Sequence, residues 1–334
     1  MDDSALYEQL HAAVASAQRV LLVAHKKPDG DTIGASSAFL NWCLREGKEV
    51  AIFCRDLPPT MFHYVDNIHR YTNDPAVFNE PYDLVIVFDS GDLAYCGVDT
   101  YIPQIPEGYL LVNIDHHVTN THYAHLNIVQ TDASSTAEVV HRFWDTMRVA
   151  VDHRMATSLL TGMCTDTGNF SNAATQATVM DAAGALIAAG ARFNDILKNI
   201  WHNHHIDGLR IWGLMLSRLR HHAAQGVITT FVRHTELPHQ GVEVVEGMSN
   251  FLNAVAKDAE TLLVLRELPT GEVRGSFRSL TRDVSAIAKL MGGGGHKKAA
   301  GFTLQGKLEE TAHGLIVVGE QTSILPWMLI PEVI

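Results

Sequence analysis

The sequence is poor in features that define several classes of protein. Its four cysteines, at positions 43, 54, 96 and 164, are scattered without a CxxC pair. This argues against a disulfide framework or a zinc ribbon and favours a reducing compartment. The longest apolar stretches, such as 324–334, contain proline and are too short to span a bilayer. The acidic, amphipathic N-terminus is unlike a signal peptide. We therefore expect a cytoplasmic protein with no membrane partner.

Positive charge is scarce as well. Lys and Arg number 25 against 37 Asp and Glu, a formal net charge of −12. Proteins that grip long nucleic acid usually present a basic surface to its phosphates. We therefore expect no long nucleic-acid partner, and any nucleic-acid substrate should be short. With 334 residues, of which 46% are hydrophobic and 19% charged, the chain has the composition of an ordinary globular protein and the length of two domains.

Short aliphatic runs alternate with helical patterns in the first half of the chain. The runs are short and unalternating, and polar turns follow them, which is typical of strands buried on both faces of a parallel sheet. They lie at 19–24, 49–54, 84–88 and 109–114. Helical periodicity occupies 5–18, 32–46, 135–147, 154–163 and 175–189. The pattern predicts an α/β fold with an N-terminal doubly wound parallel sheet.

Strand patterns return after a further helical region. Helical stretches are predicted at 193–202 and 207–222, and strands at 226–233, 261–267 and 273–278. Two more helices are predicted at 245–256 and 284–290. We predict a first domain at 1–190, a helical linker at 191–222 and a smaller α/β domain at 223–334.

Four short stretches concentrate acidic and imidazole side chains. Three directly follow predicted strands, and the fourth follows a helix. They are His25-x-x-x-Asp29-x-Asp31, Asp89-Ser-Gly-Asp92, Asp115-His116-His117 and Asp166. Because the carboxyl ends of parallel strands meet at one edge of a sheet, we expect these side chains to converge in one crevice.

Such a crevice would hold five carboxylates, which repel one another unless cations lie between them. Carboxylate and imidazole ligands without thiolate suit Mn²⁺ or Mg²⁺. Two ions about 3.5–4 Å apart that share a carboxylate can activate a water and stabilise a transferring phosphoryl group. For a single member such as Asp31, a simple helix N-cap remains an alternative. Pro28 is expected to stiffen the turn, and Gly30 to supply backbone freedom between two ligands.

Taken together, these motifs resemble the DHH phosphoesterase superfamily, in its two-domain branch with a DHH-associated C-terminal domain. The stretches that carry the resemblance are HKKPDGDTIGA (25–35), VFDSGD (87–92), NIDHH (113–117), ASSTAE (133–138), CTDTGNF (164–170) and GGGGHKKAAGF (292–302). The layout is similar to the NrnA-type oligoribonuclease/pAp phosphatases and the stand-alone cyclic-di-AMP or pApA phosphodiesterases. The resemblance implies hydrolysis of short nucleotides (nanoRNA, pAp, pApA or cyclic-di-AMP) to mononucleotides by attack of a metal-bridging hydroxide on phosphorus.

The resemblance also implies roles for particular residues. Two divalent cations are expected, Mn²⁺ in preference to Mg²⁺. One would be held by His25, Asp29 and Asp89. The second would be held by Asp31, Asp89, His116 and Asp166, with Asp89 bridging the two. Asp115 would support a histidine by a hydrogen bond. His117 would face the scissile phosphate as a charge stabiliser or proton donor.

The second domain is expected to hold the substrate. The run of four glycines at 292–295 lets backbone amides approach an anion, and Lys297, Lys298 and Arg278 could add positive charge. By resemblance, Arg278, Gly294, Gly295 and His296 hold the terminal phosphate or base of the substrate.

Three alternatives remain open at this point. A family II inorganic pyrophosphatase shares the N-terminal motifs, although the glycine-rich run argues against it. A RecJ-like single-strand exonuclease fits poorly with the net charge of −12. A non-catalytic nucleotide sensor on the same scaffold fits poorly with a complete ligand set.

The tail after Phe302 departs from the family pattern, and its segment 327–330 is expected either to pack on the domain or to form a homodimer contact.

Overall fold

The structure, a computed structural model, describes residues 4–172, 174–201, 206–237, 242–256, 260–279, 281–311, 314–319 and 323–324. Contacts between residues divide the chain into two compact units, Met1–Asn203 (unit 1) and His204–Ile334 (unit 2). This division lies inside the predicted linker, 191–222. The separate tasks predicted for the two domains stay predictions.

Unit 1 is built on a six-stranded sheet in which every neighbouring pair of strands is parallel. The strands are β1 (Arg19–Ala24), β2 (Glu49–Cys54), β3 (Tyr71–Thr72), β4 (Leu84–Phe88), β5 (Leu110–Asp115) and β6 (Leu126–Val129). Their order is β3-β2-β1-β4-β5-β6. Strand order therefore reverses between β1 and β4, which is where open α/β sheets form their ligand crevice.

Both faces of this sheet are covered, which explains why its strands are continuous aliphatic runs. The helices of unit 1 are α1 (Ser4–Ser16), α2 (Gly30–Arg45), α3 (Leu93–Cys96), α4 (Thr136–Met147), α5 (His153–Asp166), α6 (Ala177–Ala188) and α7 (Phe193–Ile196). Val20 and Leu22 of β1 belong to the larger core, which includes buried residues of α1, α2, α4, α5 and α6. Leu21 and Val23 belong to a second core on the other face, with Phe53 and Phe78.

Helices α2 and α5 approach each other closely because glycine stands at their contact. A Cβ atom on Gly34 would lie 2.5 Å from the carbonyl oxygen of Ser158. A Cβ atom on Gly162 would lie 2.7 Å from Oδ1 of Asp31. Both distances are shorter than van der Waals contact, so a larger residue at either position would push the helices apart. This close packing brings Asp31, near the start of α2, towards Asp166 at the end of α5.

Unit 2 contains a second six-stranded sheet, in which β8 and β9 pair in parallel and the other described neighbours pair antiparallel. Its strands are β7 (Arg220–His222), β8 (Val227–Val232), β9 (Thr261–Glu267), β10 (Glu272–Ser279), β11 (Gly294–His296) and β12 (Ala299–Gln305), in the order β11-β12-β10-β9-β8-β7. Helices α8 (Ile206–Ser217) and α9 (Val242–Val255) share a core with one face. Helix α10 (Val284–Leu290) shares a core with the other face.

The predicted α/β class, with a parallel sheet followed by a smaller α/β region, is confirmed. One helix prediction is wrong at its end, because α8 stops at Ser217 and residues 220–222 form strand β7. Their partner is β8, reached through a turn in which Gly226 has a φ of 61°. A three-residue strand is too short to show alternation, so its hydrogen bonds could not be anticipated from periodicity.

The tail forms additional strands in the part that the structure describes. These are β13 (Lys307–Thr311), β14 (Gly314–Val318) and β15 (Ser323–Ile324), which make an antiparallel sheet. Leu308, Leu315 and Val317 add to the core beside α10. The segment 327–330, for which a packing or homodimer contact was predicted, lies outside the described residues.

The four cysteines are buried and free of disulfides, and burial raises the pKa of each thiol to about 12. Among the described residues, no helix is both long enough and apolar enough to cross a membrane.

Candidate metal centre

Acidic and imidazole side chains gather where the three central strands of unit 1 end. His25 follows β1, Asp89 follows β4, and Asp115 is the last residue of β5. All three are nearly inaccessible to solvent, as is Asp31 in the first turn of α2. Burying several ionisable groups together is unfavourable unless they are paired or bind a cation. The switch point between β1 and β4 therefore carries a concentration of charge that needs a counter-ion.

The first cluster contains His25, Asp29 and Asp89, whose potential ligand atoms all lie within 4.8 Å of one another. Nε2 of His25 is 3.7 Å from Oδ1 of Asp29 and 3.4 Å from Oδ2 of Asp89. Nδ1 of His25 lies 2.8 Å from the carbonyl oxygen of Lys26, so Nδ1 carries the proton that it donates, and Nε2 is the ring nitrogen that faces the two carboxylates. Burial alone would lower the pKa of His25, but hydrogen bonds to the two aspartates outweigh it and raise that pKa.

The second cluster contains Asp31, His116 and Asp166, again with ligand atoms within 4.8 Å of one another. Nε2 of His116 is 3.4 Å from Oδ2 of Asp166 and 3.9 Å from Oδ2 of Asp31. Burial, and after it the neighbouring carboxylates, raise the pKa of both Asp31 and Asp166. Both clusters offer only carboxylate oxygen and imidazole nitrogen, the donor set that suits Mn²⁺ and Mg²⁺, so the residues fit divalent cations.

Asp89 reaches both clusters with different oxygens. Its Oδ2 faces Nε2 of His25, and its Oδ1 lies 3.7 Å from Nε2 of His116. The hydroxyl of Thr136 also donates to Oδ1, at 3.1 Å. The backbone of Asp89 has a φ of 56°, in the left-handed region that non-glycine residues seldom occupy. Strain of this kind, on the order of 1–3 kcal/mol, is concentrated at functional sites. The turn after β4 is therefore set up to hold this carboxylate between the two clusters.

Asp115 contacts His117, not a candidate ion. Its Oδ1 is 2.7 Å from Nδ1 of His117, and Asn120 donates to its Oδ2 at 2.5 Å. Burial alone would lower the pKa of His117, but the Asp115 hydrogen bond and nearby negative charges raise it to about 9. A third group of potential ligands joins Asp89, His116 and His117. Nδ1 of His117 also lies 3.6 Å from Oδ1 of Asp89.

Two groups at this centre were not assigned a role from the sequence. The backbone N–H groups of Thr136 and Ala137 donate to Oδ2 and Oδ1 of Asp31, at 2.6 and 2.9 Å. Asp31 thus lies at the N-terminus of α4, where exposed N–H groups favour an anion. Ser135 caps this helix by accepting from the N–H of Glu138. The Ser-x-x-Glu pattern that marks such a helix start was the signal available in the sequence.

Two expectations about the first motif are corrected. Asp29, not Asp31, is the N-cap of α2, because its Oδ1 accepts from the N–H groups of Asp31 and Thr32. Gly30 is the first residue of α2 and was expected to supply backbone freedom between two ligands. The structure gives a different reason for glycine there, because a Cβ atom would lie 2.3–2.8 Å from side-chain atoms of Thr165.

The residues predicted to hold substrate lie together in unit 2. Arg278 pairs in register with Ala299, and Ala299 pairs with His296. Gly294 pairs with Gly301, and a Cβ atom on Gly294 would meet nothing within 4 Å. Gly295 has a φ of 136°.

The glycine run was expected to act as an anion-binding loop, but residues 294–296 form strand β11. The side chain of His296 lies outside the described part of the structure. The substrate-holding roles therefore stay predictions.

Comparison with known proteins agrees with this geometry. Residues 19–163 match the DHH family, N-terminal domain. The region 19–163 therefore resembles the N-terminal domain of the DHH family. The matched DHH domain contains the strand-end residues and the start of α2, and it ends just before Asp166. The resemblance seen in the sequence motifs is confirmed.

Two curated relatives align with most of the chain. The bifunctional oligoribonuclease and PAP phosphatase NrnA of Thermus thermophilus is 29% identical over 289 residues, which cover 86% of this chain and 84% of the relative. The cyclic-di-AMP phosphodiesterase GdpP of Bacillus subtilis is 25% identical over 312 residues, covering 89% of this chain but 46% of the relative. The chain thus spans about half the length of the second relative.

A solved structure shares the fold. An exopolyphosphatase-related protein from Bacteroides fragilis superposes with a TM-score of 0.82 at 22% sequence identity, covering 90% of this chain and 91% of the other. At this identity the likeness establishes the fold alone.

Proposed function

We propose that this chain is a phosphoesterase that hydrolyses short nucleotides to mononucleotides with two divalent cations. The proposed cation is Mn²⁺ in preference to Mg²⁺. The observation that carries the proposal is the position of Asp89, whose two carboxylate oxygens face His25 on one side and His116 on the other. His25, Asp29 and Asp89 would hold one cation. Asp31, Asp89, His116 and Asp166 would hold the other.

Divalent cations at these positions would neutralise the buried carboxylates, withdraw charge from a phosphoryl group and lower the pKa of water. The protein's own residues would orient this chemistry. The carbonyl oxygen of Lys26 fixes the ring of His25 through Nδ1, and the N-terminus of α4 fixes Asp31. Asp115 fixes the ring of His117, which is proposed to stabilise charge on the phosphate or to give a proton to the leaving oxygen.

The proposed substrates are nanoRNA, pAp, pApA and cyclic-di-AMP. The names of the two curated relatives, an oligoribonuclease and PAP phosphatase and a cyclic-di-AMP phosphodiesterase, support a short nucleotide substrate. The net charge of −12 opposes binding of long nucleic acid. Arg278, with residues 294–296, is proposed to hold one end of the substrate. The proposed location is the cytoplasm, supported by four buried cysteines that form no disulfide.

The test is a side-by-side turnover measurement with Mn²⁺ on nanoRNA, pAp, pApA, cyclic-di-AMP and inorganic pyrophosphate, together with a long single strand. The proposal expects one or more of the four short nucleotides to have the highest kcat/KM. A preference for pyrophosphate would instead assign the chain to inorganic pyrophosphatases. Cleavage of long single strands as fast as of dinucleotides would assign it to processive exonucleases.

A further inference from the structure

An aromatic side chain stands half-exposed beside the metal centre. The ring of Tyr95, on α3, has its centroid 5.8 Å from that of the His25 ring, and the two rings are tilted by 50°. Tyr95 is 52% exposed, whereas His25 is 4% exposed. The ring of Tyr95 therefore lies against a candidate ligand and still presents much of its surface to solvent.

The short helix that carries this ring is tied down at both ends. Asp92 caps its start, with Oδ1 accepting from the N–H of Tyr95 at 2.6 Å. Its end is closed by Gly97, whose φ is 84°. Lys26, next to His25, donates its N–H to the carbonyl oxygen of Cys96 and its Nζ to that of Ala94, both at 3.0 Å. The backbone that carries Tyr95 is thus tied to the segment that carries His25.

A single exposed aromatic residue on a protein surface is common and needs no explanation by itself. The position of Tyr95 indicates a role in binding, because the neighbouring side chain, His25, belongs to the cluster proposed to hold a cation and a phosphate. The ring centroids of Tyr95 and His25 are 5.8 Å apart, so the aromatic ring is a direct neighbour of that cluster. Nucleobases stack on aromatic rings whatever their sequence, because every base has a π face.

We propose that Tyr95 is the stacking platform for the base of the nucleotide whose phosphate occupies the metal centre. This inference rests on the proposed function and deepens it, because it makes unit 1 itself selective for nucleotides over phosphates that lack a base. Stacking does not read the hydrogen-bonding edge of a base. The site should therefore accept purines and pyrimidines, with stronger binding for the larger rings.

The direct test compares the binding of AMP and of ribose 5-phosphate, both with Mn²⁺, by isothermal titration calorimetry. These ligands differ only in the base, so the ratio of their Kd values isolates its contribution. In the wild type we expect AMP to bind about 5- to 100-fold more tightly, the range measured for one stacked base. Tyr95→Phe should keep this ratio because it keeps the ring.

Tyr95→Leu separates stacking from simple cover of His25, because leucine keeps apolar contact but has no aromatic face. We expect the Kd ratio to fall to about twofold or less, while ribose 5-phosphate binds as in the wild type. Tyr109→Ala is the matched control, because Tyr109 precedes β5 at the opposite end of the strand from Asp115. It should leave the ratio unchanged.

The outcomes distinguish this inference from the proposed function. If the wild type hydrolyses nucleotides but Tyr95→Leu has the same Kd ratio as the wild type, the stacking role alone is overturned. If the Kd ratio depends on Tyr95 but the protein hydrolyses no nucleotide, the stacking role is upheld and the phosphoesterase proposal is refuted. Equal Kd values for AMP and ribose 5-phosphate in the wild type, or no binding of AMP, would also overturn the stacking role.

Discussion

The candidate sites of the two units are assembled in different ways. In unit 1 the residues come from the ends of three parallel strands and from helices α2 and α5, and His25, Asp31, Asp89 and Asp115 among them are buried. In unit 2, Arg278 and the residues of β11 are neighbours in register on a regular antiparallel ladder, and Arg278 is partly exposed. One site depends on the packing of distant segments, and the other on the pairing of adjacent strands.

This difference has an energetic consequence. In unit 1, burial and after it repulsion between neighbouring carboxylates raise the pKa of Asp31 and Asp166. Removing one member, or the cation, unbalances the rest of the cluster. A partly exposed arginine in unit 2 exchanges its ligand contacts for water at lower cost. Changes in unit 1 should therefore reduce kcat strongly, and changes in unit 2 should mainly weaken substrate binding.

The largest effect should come from metal removal. Chelation with EDTA should reduce nucleotide hydrolysis to background, because the buried carboxylates of unit 1 then have no counter-ion. Mn²⁺ should restore the activity best, Mg²⁺ less well. Restoration by Zn²⁺ alone would contradict the proposed ions.

Substitution of the shared carboxylate should come next. Asp89→Asn keeps the size of the side chain but removes its charge from both clusters. We expect kcat to fall by about 10³-fold or more, beyond the loss caused by removing one transition-state donor. Steady-state kinetics at saturating Mn²⁺ measures this.

Asp132→Asn is the matched control, because Asp132 is an exposed aspartate that pairs with Arg142. Its kcat should stay within roughly twofold of the wild type, as is usual for surface substitutions. Equal turnover by the wild type and Asp89→Asn would instead favour a non-catalytic sensor on this scaffold.

Asp115→Asn should have an intermediate effect within unit 1. Loss of a supporting partner of a catalytic or ligating histidine typically costs about 10- to 100-fold in activity. We expect that decrease in kcat, with KM little changed, because the hydrogen bond that orients the ring of His117 loses its charged acceptor. A decrease as large as that of Asp89→Asn would show that Asp115 is itself a metal ligand.

Arg278→Ala tests the expectation that changes in unit 2 mainly weaken substrate binding. If Arg278 holds a phosphate by charged hydrogen bonds, its loss should raise KM by about 10- to 100-fold and leave kcat within a few-fold. Arg274→Ala is the matched control, because Arg274 lies on the same strand four residues earlier and is exposed. An effect of Arg278→Ala on kcat alone would remove the proposed contrast between the two units.

The smallest expected effect concerns the pH dependence of stability in the metal-free protein. The pKa of His117 is raised from 6.5 to about 9, so its contribution to stability is fully present below pH 6.5 and is lost as pH rises through 9. Asp115, whose pKa is lowered, acts at more acidic pH and does not change this window.

Asp115→Asn should therefore flatten the dependence of Tm between pH 6.5 and pH 9. The wild type should lose a few degrees more across that range, since about 1 kcal/mol shifts Tm by roughly 2–4 °C in a domain of this size. Thermal denaturation with a chelator present measures it. Parallel Tm curves for the two proteins would show that the Asp115–His117 contact does not raise the pKa of His117.

Much of unit 1 could be predicted because its signals are local. The strands at 19–24, 49–54 and 84–88 have the predicted bounds, since aliphatic runs between polar turns mark buried strands. The spacing of His25, Asp29 and Asp31 after a strand, and the position of His116 after another, are also local properties. Because parallel strands end at a common edge, the convergence of these residues followed from the order of strands and helices.

Other features depend on packing between segments that are far apart in the chain. Asp31 is held by the N–H groups of Thr136 and Ala137 at the start of α4, which lie 105 and 106 positions later in the chain. The need for glycine at position 30 comes from Thr165, and Asp89 reaches both clusters through a left-handed turn. In unit 2, the glycine run became strand β11 because it pairs with β12.

Sequence was therefore sufficient for the kind of residues at the centre and for the edge of the sheet where they meet, because both follow from short-range periodicity. The bridging place of Asp89 and a supporting role for Asp115 were implied by the resemblance, whereas the capping role of Asp29 and the histidine that Asp115 contacts needed the folded chain. Asp29 caps a helix, Asp89 lies between two clusters and Asp115 orients a histidine. These tasks are set by distances between atoms on separate elements, and such distances exist only once the helices have packed on the sheet.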